Sequence, residues 1–462
     1  MTSYSLIIKN GRILTPLGII DSDISLDDGK IAAIGNSSRS ESSRTIDAQA
    51  KLILPGLIDP HVHFRDPGLT QKEDFLSGSK GAVAGGVTTV FDMPTTQPVV
   101  TSVSRFNEKI EIVKPKALSN FGLIAAAGEE NLSDIPSLAS AGAIAFKTYM
   151  VSPPKGRTKE YEGSFISNSG QLYRVMEQVG KTGLIHCIHA ESDSTISCLT
   201  ERLVAQGRKD PMAHYDSRPN FTEAEAVYDA ILLSKVLHTR LHLVHISTSE
   251  ATQLIREAKL DHSDVSAETC PHDLCFTREL LKTRGPYAKY NPPSRNLGDT
   301  KALYDALNDG TIDMVATDHA PHTKEEKEGG REDIFRAPPG TPGVETRLPI
   351  LLRMAHDGLL RLEDIPKLTS ESVAQRFGVQ SKGSIQVGFD ADLVIVDYDS
   401  EWTVKASELQ TKAWETVLYD GMKVRGKVKY TILNGEVAYE EGVGFAKPGI
   451  GKMVKGRMGI NN

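Results

Sequence analysis

The chain has 462 residues, of which 39% are hydrophobic and 24% charged, a balance typical of globular proteins with a large core. A net charge of −7 without a basic cluster argues against a general nucleic-acid-binding protein, and the absence of any run of about 18 apolar residues argues against a membrane span. The first residues lack signal-peptide regions and the four cysteines lack CxxC spacing, so we expect reduced thiols in a cytoplasmic protein.

Short apolar runs and turn residues fill both ends of the chain. Asn10-Gly11, Asp28-Gly29 and Asn434-Gly435 each stand between apolar runs, which predicts β-hairpins. We expect residues 1–54 and 381–462 to pair into one small β-sandwich, with two unrelated hairpins as the alternative. The tail 447–462, rich in glycine and lysine, is predicted to be loosely ordered or a contact arm.

Between these ends, apolar β-rich segments alternate with helical patterns. Strands are predicted to begin near positions 57, 87, 121, 143, 183, 241, 265 and 311. Helical patterns cover 75–84, 171–179, 223–237, 249–258 and 300–308. Such alternation implies parallel strands, and eight units over about 250 residues favour a closed (β/α)₈ barrel of the TIM type in residues 55–380. An open doubly wound sheet is the alternative, but it gives no reason for metal-binding side chains at so many strand ends.

His61 and His63 stand at the exit of the first predicted barrel strand. Residues two apart in a strand point the same way, so these imidazoles form half of a metal site. Lys147, His189, His245 and Asp318 stand near the ends of later strands, and all would meet at the carboxyl face of the barrel. Two satisfied histidines near a turn are the alternative, which becomes less favoured as candidate ligands accumulate.

Imidazole and carboxylate ligands without a thiolate suit Zn²⁺, with Mn²⁺ or Co²⁺ possible. Four histidines and Asp318 exceed the needs of one tetrahedral zinc, which predicts two bridged ions. Reaction of Lys147 with CO₂ would give a carbamate, an anionic bridging ligand; otherwise Lys147 would be a surface or salt-bridge residue. His186, His262 and His272 compete for ligand roles, and His242, at a strand start, is expected to be structural.

The sequence resembles the cyclic amidohydrolases of the amidohydrolase superfamily, and among them the dihydroorotases most closely. The resemblance covers nearly the whole chain and rests on the following segments: 55–68 (PGLIDPHVHFRDPG), 84–89 (AGGVTT), 291–293 (NPP), 316–323 (ATDHAPHT) and 388–393 (GFDADL).

The resemblance implies a ligand set and a mechanism. His61, His63 and Asp318 would hold one divalent ion, His189 and His245 a second, and a carboxylated Lys147 would bridge them. Activated water would then attack a ring amide, with Asp318 accepting the proton and passing it to the departing nitrogen. The implied substrates are dihydroorotate and N-carbamoyl-L-aspartate, small molecules of pyrimidine biosynthesis, and family members are often homo-oligomers.

The resemblance also implies substrate contacts. Arg65 and His322 would hold the ring carboxylate of dihydroorotate, while Asn291 and the loop with Pro339 and Gly340 would contact the pyrimidine ring. The family asparagine after Met-Pro is replaced here by Thr95, so that contact is weakened or supplied by Thr95 or Gln97. Salt-bridge and helix-start roles for Arg65 and His322 remain the alternative.

Two other functions stay open at the level of sequence. A hydantoinase or allantoinase is favoured by Lys147 and by the segment 343–347 (GVETR). A non-catalytic scaffold of this fold is the remote alternative, although it predicts missing ligands and all six candidates are present.

Overall fold

The computed structural model describes residues 3–154 and 156–457, and its strands form a nine-stranded and an eight-stranded sheet. The strands are β1 (Ser3–Thr15), β2 (Gly18–Asp27), β3 (Lys30–Ile34), β4 (Glu41–Asp47), β5 (Leu52–Pro55), β6 (Leu57–Val62), β7 (Val87–Asp92), β8 (Asn120–Ala126), β9 (Ala145–Tyr149), β10 (Ile185–His189), β11 (Leu241–Leu243), β12 (Val265–Thr269), β13 (Met314–Val315), β14 (Leu393–Thr403), β15 (Lys423–Leu433), β16 (Glu436–Glu440) and β17 (Gly444–Phe445).

The α-helices surround the eight-stranded sheet and lengthen its loops. They are α1 (Phe75–Ala84), α2 (Val103–Val113), α3 (Ile135–Ala141), α4 (Ser169–Gly180), α5 (Asp193–Ala205), α6 (Pro211–Asp216), α7 (Asn220–Leu237), α8 (Ser249–Leu260), α9 (Pro271–Cys275), α10 (Glu279–Arg284), α11 (Leu297–Asn308), α12 (Lys324–Glu328), α13 (Arg347–His356) and α14 (Ser372–Phe377).

Strands β6 to β13 pair in sequential order and in parallel, as the alternation predicts. The two ends of this sheet meet, because the Val62 backbone pairs in parallel with His319 and the His63 amide donates to the His319 carbonyl at 2.8 Å. Buried Arg347 joins them again by donating to the carbonyls of Ile58 and Val315. The predicted barrel is therefore confirmed, and the open doubly wound alternative is excluded.

The terminal segments form the nine-stranded sheet. Strand β14 pairs antiparallel with β5, with Leu393 opposite Pro55, so the C-terminal part continues the sheet that the N-terminal part begins. Apolar side chains from both ends share one core, including Ile8, Ile24 and Ile432. Pairing of the two ends into one β-unit is confirmed, and the alternative of unrelated hairpins is excluded. We propose boundaries between the units near 54/55 and 380/381.

Two of the three predicted hairpin turns are present. Asp28-Gly29 joins β2 to β3 and Asn434-Gly435 joins β15 to β16, each with positive φ at both residues. The prediction for Asn10-Gly11 was wrong, because β1 continues through it as a bulge. A Cβ on Gly11 would lie 2.2 Å from the Ile53 side chain, so this glycine allows β1 to pair with β4 in one half and β5 in the other.

The C-terminal tail lies against the barrel, up to the last described residue. Phe121 donates its amide to the Lys452 carbonyl and accepts from the Val454 amide, which confirms the contact arm for this part; residues 458–462 lie outside the described chain. All four cysteines are unpaired. Within the described ranges, helices fall short of the length and apolarity that crossing a bilayer requires.

Candidate metal centre and substrate cavity

The carboxyl ends of the barrel strands surround a cavity of about 930 Å³. Three predicted site residues, Thr95, Lys147 and His322, are buried and contact residues of its wall. The other nine line the cavity itself: His61, His63, Arg65, His189, His245, Asn291, Asp318, Pro339 and Gly340. The twelve residues predicted from the sequence thus converge on one place.

His61, His63 and Asp318 form a compact group of potential metal ligands. The two imidazoles lie at the exit of β6 and the aspartate follows β13, the neighbouring strand around the barrel. Asp318 Oδ1 lies 3.2 Å from His61 Nε2 and 3.1 Å from His63 Nε2. Burial lowers the pKa of His63 to about 3, so its imidazole is neutral at pH 7, the form that binds metal ions.

Glu268 on β12 fixes the orientation of His61. Its carboxylate lies 2.5 Å from His61 Nδ1 and 3.1 Å from His242 Nε2, and His242 Nδ1 lies 2.8 Å from the Ser266 hydroxyl. Burial raises the pKa of Glu268, but the two imidazoles outweigh it and lower the value to about 2. The ionised carboxylate accepts from Nδ1 of His61 and leaves Nε2 directed at Asp318. Sequence reasoning missed Glu268, whose signal was a charged residue inside a short strand that is otherwise uncharged.

His245 and His189 extend the imidazole patch. The His245 ring lies 5.4 Å from that of His61 and 4.5 Å from that of His189, measured between centroids. Within the described chain, His245 Nδ1 is buried without a hydrogen-bond partner. His189 Nε2 contacts Glu191 at 2.6 Å, and Glu191 also accepts from Arg218. Four imidazoles therefore form one continuous surface at the cavity floor.

Lys147 is buried inside the barrel close to this patch. Its Nζ lies 4.8 Å from the centre of the Tyr149 ring and finds no hydrogen-bond partner in the described part of the chain. Burial lowers the pKa of the amine to about 8, while nearby acidic groups, Glu268 and Asp318 among them, limit the shift. An amine left unsatisfied in this position is suited to a modification that supplies oxygen atoms.

The wall of the cavity also carries a buried cation, Arg65. Arg65 Nη2 lies 3.4 Å from His322 Nε2, and Arg65 Nη1 lies 4.0 Å from Glu160. Because His322 Nε2 also lies 3.0 Å from the Pro339 carbonyl, to which it must donate, its approach to Arg65 is a packing contact and not a hydrogen bond. Arg65 Nε is unpaired among the described residues, so this guanidinium retains donors.

Thr95 contacts the metal-ligand group. Its hydroxyl lies 2.6 Å from His63 Nδ1, on the side of the ring away from Asp318. This hydrogen bond orients His63 as Glu268 orients His61. The Thr95 hydroxyl, at the position where the resembled family has an asparagine, is therefore already hydrogen-bonded to His63 within the protein.

The whole-chain comparisons agree with this geometry. The profile of the amidohydrolase family matches residues 52–438. The chain belongs to the amidohydrolase family. A dihydroorotase of Methanosarcina acetivorans is 37% identical over 97% of this chain and 95% of its own, and an allantoinase of Solibacter usitatus is 34% identical over 94% and 93%. The structure of an L-hydantoinase from Arthrobacter aurescens superimposes with a TM-score of 0.92 at 34% identity, covering 98% of this chain and 100% of that one.

These relatives lie within the cyclic amidohydrolase group, at nearly equal identity. Amidohydrolases generally use divalent metal ions, and the His61, His63 and Asp318 group of this member could bind one. The donor set fits a divalent ion such as Zn²⁺, since it consists of two imidazoles and a carboxylate. The His245 and Lys147 nitrogens, which have no hydrogen-bond partner among the described residues, lie close by.

Three further histidines of this amidohydrolase contact side chains outside the group of His61, His63 and Asp318. His186 Nε2 lies 2.7 Å from the Thr148 hydroxyl on the neighbouring strand, and burial lowers its pKa to about 3. His272 packs edge-on against Tyr290 at 4.3 Å between ring centres. His242 is structural, as expected, but its contact with Glu268 links it to the ligand group.

Proposed function

We propose that this amidohydrolase is a dihydroorotase, which hydrolyses dihydroorotate to N-carbamoyl-L-aspartate and catalyses the reverse closure. The observation that carries the proposal is buried Arg65, which lines the same cavity as the ligand group. Dihydroorotate has a ring carboxylate that hydantoin and allantoin lack. A guanidinium can hold such a carboxylate through two parallel hydrogen bonds.

The charges around Arg65 support an anionic substrate. Glu160 accepts from Arg157 Nε at 2.9 Å and lies 3.7 Å from Lys72, while Lys72 contacts Glu326 at 2.8 Å. Three cations thus face two carboxylates, which leaves one positive charge in a buried wall. Burial lowers the pKa of Arg65 and Arg157 lowers it further, so a bound carboxylate would relieve an unfavourable environment.

We assign His61, His63 and Asp318 to one divalent ion and His189 and His245 to a second, with Zn²⁺ as the expected metal. We further propose that Lys147 carries a carbamate, whose oxygens would serve as additional ligands for these ions. A pKa of about 8 leaves roughly a tenth of the amine neutral at pH 7. The neutral nitrogen forms a bond to the carbon of CO₂ and releases one proton, which gives an anionic group with two oxygen ligands.

Asp318 is the proposed catalytic base. Burial raises its pKa, but His61, His63 and His245 outweigh burial and hold it well below the usual value, so the carboxylate is ionised. Bound divalent ions would lower the pKa of water and polarise a carbonyl oxygen. Asp318 accepts the proton of the attacking water and gives it to the ring nitrogen as the amide bond breaks. Ring closure requires protonated Asp318 at the start, which favours closure at lower pH.

Hydantoinase or allantoinase activity is the second candidate. Thr95 replaces the asparagine of the resembled family and bonds to His63, and Glu160 lies near Arg65; both features weaken a carboxylate site. The segment 343–347, which resembles that of hydantoinases, ends in Arg347. This side chain donates hydrogen bonds to the backbone carbonyls of Ile58 and Val315 in the barrel, so it gives little support to hydantoinase or allantoinase activity.

Steady-state kinetics with metal-replete protein test the proposal. We expect closure of N-carbamoyl-L-aspartate, and kcat/KM for dihydroorotate about 100-fold above that for hydantoin or allantoin, which corresponds to about 3 kcal/mol of carboxylate binding. A preference for hydantoin or allantoin would refute the dihydroorotase assignment and support the second candidate.

A further inference from the structure

A second group of potential metal ligands lies where β12 leads into α9. Cys270 immediately precedes the helix, and His272 and Asp273 lie in its first turn. A ligand atom of each side chain lies within 4.8 Å of the other two, and all three side chains are buried. The group shares no residue with the ligands assigned to the proposed reaction, and it contains a thiol, which those ligands lack.

Two of these side chains have buried polar atoms without a hydrogen-bond partner. His272 Nδ1 and Asp273 Oδ1 are both unpaired among the described residues. Within the same part of the chain, the one ion-pair contact of Asp273 is with His272, whose Nε2 lies 3.6 Å from Oδ2, too far for a hydrogen bond. Because buried polar atoms are nearly always paired, these two indicate a ligand that the neighbouring side chains do not supply.

Asp273 also lacks the basic partner that a buried carboxylate needs. Arg295 lies nearby, but its Nη2 contacts Glu223 at 3.4 Å, and its other nitrogens donate to Ser247 and to a backbone carbonyl. Burial raises the pKa of Asp273 well above its usual value and Glu223 raises it further, while Arg295 offsets only part of this. An ionised carboxylate at this position therefore requires an additional cation.

We propose that Cys270, His272 and Asp273 bind one divalent cation of the zinc class. Thiolate and imidazole ligands favour Zn²⁺ or Co²⁺ over Mg²⁺ and Ca²⁺, which prefer oxygen ligands. Burial lowers the pKa of His272 to about 4, so its imidazole is neutral at pH 7 and can bind a metal ion. Burial raises the pKa of Cys270 and of Asp273, so the cation would displace the proton of each to solvent. Its two positive charges then balance the thiolate and the carboxylate.

The position of this site gives the cation a structural role. Cys270 follows Glu268 by two residues, and the His272 ring packs edge-on against Tyr290 at 4.3 Å between ring centres. Tyr290 precedes Asn291, which lines the substrate cavity, whereas the three proposed ligands are not among the described residues of its wall. The cation would therefore fix α9 between the strand that orients His61 and the segment that contacts substrate.

Cobalt absorption of the full-length protein tests the site. The protein is freed of metal by chelation and then loaded with Co²⁺ alone. A thiolate ligand gives a sulfur-to-cobalt charge-transfer band in the near ultraviolet, which imidazole, carboxylate and carbamate ligands do not give. We expect this band in wild type and its loss in Cys270→Ser. The matched control is Cys275→Ser, which removes another thiol of the same helix and should retain the band.

Two further variants separate this site from the proposed reaction and from errors of folding. The double variant His61→Ala/His63→Ala should lose hydrolysis and retain the band. Asp273→Asn should raise the Kd for Co²⁺ at the band at least about tenfold, which tests the site even where Cys270→Ser fails to fold. Melting temperatures show which variants are folded, and in the double variant Zn²⁺ should raise the melting temperature because it binds the folded state.

Three results would overturn the proposal. The first is cobalt-loaded wild type without the band, and the second is a band that survives in folded Cys270→Ser. The third is a band that disappears in the double variant, because the thiolate would then belong to the ligand group of the proposed reaction. A protein that shows the band but fails to hydrolyse dihydroorotate would refute the proposed function and leave this site standing.

Discussion

Arg65→Ala separates carboxylate recognition from the chemistry at the metal centre. In the free protein, Arg65 is 4.0 Å from Glu160, which keeps Arg157 and Lys72 as partners when Arg65 is removed. The substitution therefore removes a donor group without leaving a buried carboxylate unpaired. Its main expected effect is the loss of hydrogen bonds to the substrate.

The magnitude follows from the number and kind of bonds lost. Each hydrogen bond to a charged group contributes about 1.5–3 kcal/mol, so two parallel bonds give at least about 3 kcal/mol. This predicts a fall of about 100-fold in kcat/KM for dihydroorotate, mainly through a higher KM. Hydantoin lacks the carboxylate, so its turnover, where measurable, should change by less than about threefold. Arg65→Lys retains the positive charge but cannot form two parallel hydrogen bonds. Its kcat/KM for dihydroorotate should therefore lie between those of wild type and Arg65→Ala.

The assay measures both substrates with each variant, together with metal content by mass spectrometry. Unchanged metal content is expected, since Arg65 contacts His322 and Glu160 and is absent from the ligand group. An equal loss on dihydroorotate and hydantoin, or a loss of metal, would show that Arg65 supports the site as a whole. The carboxylate argument would then be refuted.

Four further predictions concern the centre and its surroundings. Asp318→Asn should lower kcat at least about 1,000-fold with metals retained, and joint loss of both metals would contradict its role as base. Lys147→Ala should remove the carbamate ligand and lower the metal content by one equivalent per chain. Short-chain carboxylic acids should then restore part of the activity, and a variant with full metal content would contradict the proposed carbamate. Glu268→Gln should weaken metal affinity about 10–100-fold in a chelator competition, whereas unchanged affinity would contradict its role in orienting His61. Burial raises the pKa of Glu160, but Arg157, Arg65 and Lys72 together outweigh it and lower the value to about 2. The ionised carboxylate therefore adds about 3 kcal/mol of stability above pH 4.5, which is lost as pH falls toward 2. Glu160→Gln should reduce the fall in melting temperature between pH 6 and pH 3, and an unchanged fall would contradict this.

The sequence alone determined the parts of the fold that depend on local periodicity. Helix α1 was predicted with its observed bounds, and the predicted barrel strands begin close to the observed ones, because alternation and helical spacing are read within a few residues. The two-residue alternation of side chains in a strand also predicted that His61 and His63 lie on one side of the strand. Local periodicity also placed Asp318 and His245 at strand ends, where the barrel brings them together.

Only the tertiary structure decided which distant groups meet. The bulge at Asn10-Gly11 depends on the packing of Gly11 against Ile53, and local turn propensity predicted a hairpin there. Glu268 and His61 are 207 residues apart, and their hydrogen bond exists because barrel closure leaves only β13 between β12 and β6. Hydrophobic periodicity fixes which side of a strand faces the interior. The partner of each buried polar group is fixed only when the whole chain excludes water, because every such group must then find a donor or acceptor within reach.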